Sequence, residues 1–267
     1  MKLGIVGHGF VGSAVDHGFI KNCDKFIVDP KLNNNSIRDL INFGAEISFI
    51  CVPTPQNENG ECRTDIVSDV CQQLNTQPGH LVIIKSTVPS YKLQEIQDKF
   101  KNIRLVYNPE FLTEKNYIND FRNPPMHVFG GQQNDTKQVE TLYIEHSICC
   151  PCPVFHTDLT TASFVKYSIN SFLATKVTFF NELYDVFKSA GGKDFDRFTQ
   201  IISTDPRMGN SHMRVPGNNG ERGYGGSCFP KDTTALAYFA REILDTPFTQ
   251  LETSIEINER LRKNNQA

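Results

Sequence analysis

Gly7-His8-Gly9-Phe10-Val11-Gly12 is a G-x-G-x-x-G run set directly after the short apolar stretch Leu3–Val6 and directly before a helix-like stretch. Nothing else in the chain narrows its folding options as far. The first glycine permits a tight turn, the second lets a phosphate group approach the backbone, and the third lets strand and helix pack closely. The helix start then offers unpaired N–H groups and the positive end of its dipole to an anion. A bare glycine run also occurs as a purely structural turn. Here it has its strand, its helix and an acid, Asp29, closing the second apolar run at the expected distance. An acid there bonds ribose hydroxyls and repels a 2′-phosphate, so the cofactor expected is NAD rather than NADP.

The apolar runs 3–6, 25–29, 47–52, 81–85, 103–107 and 127–129 are short and rich in β-branched or aromatic residues. They read as buried strands of a parallel sheet. Helix-like or loop stretches such as 12–21 and 65–74 lie between them, so the first half is expected to be an α/β, Rossmann-type doubly wound sheet. After Thr157 the pattern changes to an all-helical domain. Asp158 caps a helix expected to run to about Ala190 and to stop at Gly191-Gly192. Phe172, Leu173, Val177, Phe180, Leu183 and Phe187 read as one apolar stripe along it. Further helices are expected over 195–203, 230–244 and 248–262, and the polar end 264–267 is expected to fray. The domains are therefore 1–157, binding NAD, and 158–267, helical. The stripe on so long a helix predicts a homodimer.

Composition removes other classes. Lys plus Arg minus Asp plus Glu is 27 − 30 = −3, so nucleic acid is not an expected partner. No apolar run reaches the ~18 residues of a membrane helix, and the N-terminus lacks the long apolar region of a secretory signal. The chain is expected to be cytoplasmic and its eight cysteines reduced. Cys149-Cys150-Pro151-Cys152 resembles half of a metal cluster, but no second ligand pair stands at zinc spacing. It reads as a loop leading into a strand, and no metal is expected.

Gly223-Tyr224-Gly225-Gly226-Ser227-Cys228-Phe229-Pro230-Lys231-Asp232 is the densest chemical signal. Glycines precede a cysteine, Pro230 suits the first turn of a helix, and Lys231 is close by. A helix start and a nearby cation both favour thiolate, so Cys228 reads as a nucleophile rather than a small buried hydrophobe. Lys166 and Asn170 stand four apart on the long helix and share a face. From spacing alone they are either a solvated pair or a second part of the site.

These stretches, with Val52-Pro53-Thr54-Pro55, Lys85-Ser86-Thr87-Val88-Pro89, Asn108-Pro109-Glu110-Phe111-Leu112, Asn181-Glu182 and Asp205-Pro206-Arg207-Met208-Gly209, occur in the order found in the UDP-glucose/GDP-mannose dehydrogenases, which the chain resembles over nearly its whole length. The resemblance implies a nucleotide-sugar substrate whose C6 alcohol is oxidised twice through a thiohemiacetal and a thioester on Cys228. It implies that Gly7, Gly9, Phe10, Val11, Gly12, Asp29, Thr54 and Thr87 hold NAD. It implies that Lys166 and Asn170 hold the C6 oxyanion, that Asp232 and Thr87 position water and assist proton transfer, and that Glu110 is the base for hydrolysis, supported by Glu114. Phe111, Leu112, Tyr224, Gly225 and Lys231 would contact the substrate.

The chain departs from the family pattern in places. Thr113, Ser163 and Ser90-Tyr91 replace other residues, and the stretch from Asp29 to Val52 is short. The family pattern continues into a further α/β domain for the nucleotide end, and the chain ends after the helix with Asn258-Glu259-Arg260, so that domain is expected to be absent. Two other readings stand beside the double oxidation: a non-catalytic NAD-binding or interaction module, and a one-step β-hydroxyacid dehydrogenase. Neither needs Cys228.

Overall fold

The strands β1 (Lys2–Val6), β2 (Asp24–Val28), β3 (Ile47–Ile50), β4 (Leu81–Ile84), β5 (Arg104–Tyr107), β6 (His127–Gly131) and β7 (Val154–Thr157) form one sheet in the order β2-β1-β3-β4-β5-β6-β7. This is a computed structural model, and it describes residues 1–264. Of the end expected to fray, 264–267, Asn264 is instead helical, and 265–267 lie outside the described residues. Two compact units are present: Met1–Pro55 with Cys62–Lys166, and Gln56–Glu61 with the chain from Tyr167 onward.

In the first unit, side chains alternate across the sheet with the strand period of two. Val6, Ile50, Ile84 and Leu105 join one buried cluster, while Ile5, Phe49, Ile83 and Val106 join another. The first cluster is covered by α2 (Ile37–Phe43), α3 (Asp65–Leu74) and α4 (Ser90–Lys99), through Leu40, Val67 and Leu93. The second is covered by α1 (Phe10–Gly18) and α6 (Gln133–His146), through Val15, Val139 and Leu142. Helices on both faces of a mostly parallel sheet give the doubly wound architecture.

One pair breaks the expected parallel pattern. β5 and β6 are antiparallel, with Val106 opposite Gly131 and Tyr107 opposite Gly130. Between them lies only one short helix, α5 (Tyr117–Arg122). Its six residues rise about 9 Å, and an antiparallel neighbour needs no crossover back along the sheet. β7 then pairs parallel to β6 after α6.

The helix α7 (Leu159–Ser189) has 31 residues. The Asp158 carboxylate accepts the Thr161 N–H at 2.8 Å at its start. At its end Gly191, at φ +86°, sends its N–H to Lys188 O, and the Gly192 N–H goes to Phe187 O. In the second unit α8 (Phe195–Ile202), α9 (Phe229–Tyr238) and α10 (Thr249–Asn264) follow. The helix expected to continue to Leu244 instead widens at Phe239–Ile243, where the Leu244 N–H reaches Phe239 O five residues back. Phe239 and Ala240 stay buried while the chain turns ahead of Pro247, which cannot continue a helix.

The single stripe expected on α7 is in fact two faces. Phe180 is buried against Phe195 and Met213, with Leu183 and Phe187 half-buried beside them. Phe172, Phe179 and Val186 are 69%, 57% and 64% exposed. At about 100° per residue, Phe172 and Phe179 stand nearly in line while Phe180 is a quarter turn away.

Candidate active site

The glycine loop joins β1 to α1. Gly7 sits at φ +86°, and a Cβ there would meet the Cys51 carbonyl oxygen at 2.7 Å. A Cβ on Gly12 would lie 2.0 Å from the Gly7 oxygen, so the strand-to-helix joint closes only with glycine. A Cβ on Gly9 would meet nothing within 4 Å, so the backbone there is open to a ligand. The first turn of α1 carries no acid, and its leading N–H groups have no partner within the helix. Phe10 and Val11 are half-buried in that turn.

Asp29 follows β2. Its carboxylate accepts the His8 N–H at 2.5 Å and the Lys31 N–H at 2.8 Å. Burial opposes its ionisation, but these two bonds outweigh it and hold the carboxyl below its usual range. An ionised Asp29 beside an open, anion-receptive turn fits a dinucleotide with a free 2′-hydroxyl. Thr54 is buried in the loop after β3, and Thr87 is half-buried in the loop after β4, where its carbonyl faces the Cys62 thiol at 3.7 Å.

Glu110 and Lys166 form a buried ion pair in the first unit. Lys166 Nζ donates to Glu110 Oε1 at 3.0 Å and to its backbone oxygen at 2.7 Å. Glu110 Oε2 accepts the Leu112 N–H at 2.6 Å, and Lys166 Nζ lies 5.8 Å from the Phe111 ring centre. Glu114 is exposed. Behind Glu110, Lys85 Nζ donates to Asn108 Oδ1 at 2.9 Å and to the Tyr143 hydroxyl at 3.3 Å. Burial pushes the Lys85 ammonium below its usual range. In the sequence Lys85 and Asn108 stand only as letters of longer stretches. Their pairing depends on Tyr143, which no local pattern announces.

In the second unit Cys228 is the capping residue of α9, half-buried, with Ser227 Oγ 3.6 Å from its sulfur. Pro230 falls in the first turn, as its fixed φ allows. One turn on, the Asp232 N–H reaches the Cys228 oxygen at 2.9 Å. The Asp232 carboxylate is fully buried and held on both oxygens, Oδ1 by Lys231 Nζ and Oδ2 by Asn170 Nδ2 at 2.6 Å. Asn170 is thus tied into a polar cluster and is not a solvated face. Tyr224 is buried, edge-on to Phe229 at 6.2 Å between centres, and Gly225 lies four residues after Glu221 in the turn that precedes Cys228. All eight cysteines lie among the described residues as thiols outside any disulfide. Among the described residues no group of three or more His, Cys, Asp or Glu is gathered for a metal, and no helix is long and apolar enough to cross a membrane.

Two models of the UDP-glucose/GDP-mannose dehydrogenase family match the chain, the NAD binding domain over residues 29–146 and the central domain over 160–260. The first begins at Asp29, after the glycine loop. UDP-glucose 6-dehydrogenase TuaD of Bacillus subtilis is 33% identical over 250 residues, covering 90% of this chain and 52% of that protein. GDP-mannose 6-dehydrogenase of Azotobacter vinelandii is 33% identical over 213 residues, covering 73% of this chain and 47% of that protein. The chain spans about half the length of the curated relatives it matches. The solved structure of a UDP-glucose dehydrogenase from Pyrobaculum islandicum shares the fold with a TM-score of 0.84 at 23% identity, covering 97% of this chain and 68% of that one.

Proposed function

The chain belongs to the UDP-glucose/GDP-mannose dehydrogenase family, and from that footing we propose that it oxidises the C6 alcohol of a nucleotide sugar to a carboxylate in two NAD-dependent steps. The observation that carries the reading is Cys228 at the start of α9, one turn ahead of a buried Asp232 clamped by Lys231 and Asn170. A module that only binds NAD has no use for this group. Residues 1–157 serve as the NAD-binding domain and 158–267 as the helical domain that carries the nucleophile.

The glycine loop, Asp29, Thr54 and Thr87 hold the dinucleotide, which supplies the electron acceptor for each oxidation. In the first step the C6 hydroxyl gives its proton to water held by Asp232 and Thr87 and C6 loses a hydride, leaving an aldehyde. Lys166 and Asn170 stabilise the oxygen where charge develops. Cys228 Sγ then bonds to C6 and the carbonyl oxygen takes a proton, giving a thiohemiacetal. Loss of a second hydride from C6 and of the proton from oxygen leaves a thioester. Water attacks C6, the S–C6 bond breaks, and the thiolate returns. Asp232 and Thr87 position that water, and Glu110 takes its proton with Glu114 in support. Phe111, Leu112, Tyr224, Gly225 and Lys231 line the substrate. The balance is two NAD reduced per sugar oxidised.

The deciding experiment counts NADH per sugar consumed, with UDP-glucose and with GDP-mannose. Two per sugar is expected. One per sugar would point to the hydroxyacid-type chemistry, and none with intact NAD binding to a binding module.

The ionised Asp29 predicts cofactor choice. Titration followed by fluorescence should give NAD an affinity on the order of 100-fold above NADP, from like-charge repulsion at the ribose. Asp29→Asn should narrow that gap; equal wild-type affinities would remove the assignment.

Assembly is also proposed. The exposed line Phe172, Phe179 and Val186 is an apolar surface that water covers at a cost. A homodimer that buries it should appear by light scattering at micromolar concentration, and replacing Phe172 and Phe179 with glutamate should yield monomer. A monomeric wild type at that concentration counts against the proposal.

A further inference from the structure

We propose that Asn181 and Asn258 are positioning residues for Cys228, holding the glycine turn that leads into it by two consecutive backbone N–H groups. The inference rests on the reading of Cys228 as the nucleophile.

The turn Gly223-Tyr224-Gly225-Gly226 needs a left-handed backbone at two points, Gly223 at φ +77° and Gly226 at φ +78°. Glycine permits that, but it also leaves the segment the largest freedom to lose on folding. The turn's one side chain, Tyr224, is buried edge-on to Phe229. The backbone itself is restrained by two helices. The Gly223 N–H donates to Asn181 Oδ1 of α7 at 3.2 Å, and the Tyr224 N–H donates to Asn258 Oδ1 of α10 at 2.7 Å. Both asparagines are buried. Asn181 is pinned in turn by its own Nδ2 donating to Val177 O at 2.8 Å.

The fit is close as well as polar. A Cβ on Gly223 would stand 2.6 Å from Asn258 Oδ1, so the amide occupies the space a side chain would need. The Arg262 guanidinium lies 3.4 Å from where a Gly225 Cβ would be, and it pairs with the Glu221 carboxylate. On the other side Arg222 bonds Asn181 and the Asp185 carboxylate of α7. Buried asparagines are costly unless their amides are matched. Here each amide oxygen is matched to a backbone donor four or five residues before the sulfur. A displacement of about 1 Å at a reacting atom costs about 100-fold in rate, so a turn of glycines ahead of a nucleophile requires this kind of clamp.

The test compares Asn258→Ala with Asn258→Asp, which keeps the acceptor oxygen, in the full chain. Three quantities are read: kcat with NAD and nucleotide sugar, the rate of Cys228 alkylation by iodoacetamide, followed by peptide mass spectrometry, and amide exchange across residues 223–228. Asn258→Ala should lower kcat about 100-fold with KM for NAD within about twofold. Its alkylation should slow about tenfold as the sulfur leaves the helix start that favours thiolate, and exchange in the turn should speed up at least about tenfold. Asn258→Asp should recover most of each. If the alanine variant does not fold, Asn258→Ser, too short to reach the Tyr224 N–H, takes its place. A folded alanine or serine variant with alkylation and exchange within twofold of wild type overturns the proposal, as does a loss of kcat that aspartate fails to restore. Alkylation and exchange need no sugar, so they decide the matter even if wild type oxidises none.

Discussion

Replacing Cys228 with serine is expected to lower two-step turnover about 1,000-fold or more, the scale of losing a covalent nucleophile, while NAD affinity stays within about twofold. Serine is close to cysteine in size, so the turn and the start of α9 should persist. Its hydroxyl is not ionised near neutral pH and attacks an aldehyde poorly. A hydroxyl already stands beside the sulfur, at Ser227 Oγ, 3.6 Å away. If an oxygen there were sufficient, that neighbour would rescue the variant. On the proposed route the first oxidation needs no sulfur, so residual turnover should stop at one NADH per sugar or trap a stable ester. Intact-protein mass spectrometry should find a sugar adduct on wild type during turnover, and Asp232→Asn should raise its steady-state level by slowing hydrolysis. Two NADH per sugar at an undiminished rate from Cys228→Ser would exclude the thioester.

The second large effect is on stability. Lys166→Met should cost about 3–5 kcal/mol, because it leaves the Glu110 carboxylate buried without its cation. At about 2–4 °C per kcal/mol for a unit of this size, the melting transition of the first unit should fall by about 6–20 °C. The Leu112 N–H remains on Glu110 Oε2, which sets the lower end of that range. Adding Glu110→Gln removes the stranded charge and should return most of the loss, so the two substitutions are strongly non-additive. Calorimetry on the four proteins of the cycle measures this. A loss below about 1 kcal/mol for Lys166→Met, the scale of an exposed pair, would show that the pair is reached by water.

What the sequence discloses depends on how local the physics is. The glycine loop is legible because its three glycines fall within six residues: Gly7 and Gly12 have no room for a Cβ, and Gly9 leaves the backbone open. The start of α9 is legible for the same reason, since Pro230 fixes the helix phase beside Cys228. The antiparallel β6 is not legible: its short apolar run looks like the others, and its direction follows from what α5 is too short to do. The two faces of α7 merge in the sequence because Phe179 and Phe180 are neighbours in the chain and a quarter turn apart in space. The bond made by Asn258 is not legible because its partner, the Tyr224 N–H, lies 34 residues away and is a backbone group with no letter of its own.

The spacing of Phe172, Phe179 and Val186 carries a geometric consequence. Seven residues fall about 20° short of two full turns of a straight helix, so a line of side chains at this step drifts around its axis. Across the fourteen residues from Phe172 to Val186 the drift is about 40°. Two such helices keep these residues facing each other only by winding around one another with a left-handed sense, crossing near 20°. A straight antiparallel or perpendicular contact would engage Phe172 or Val186 but not both.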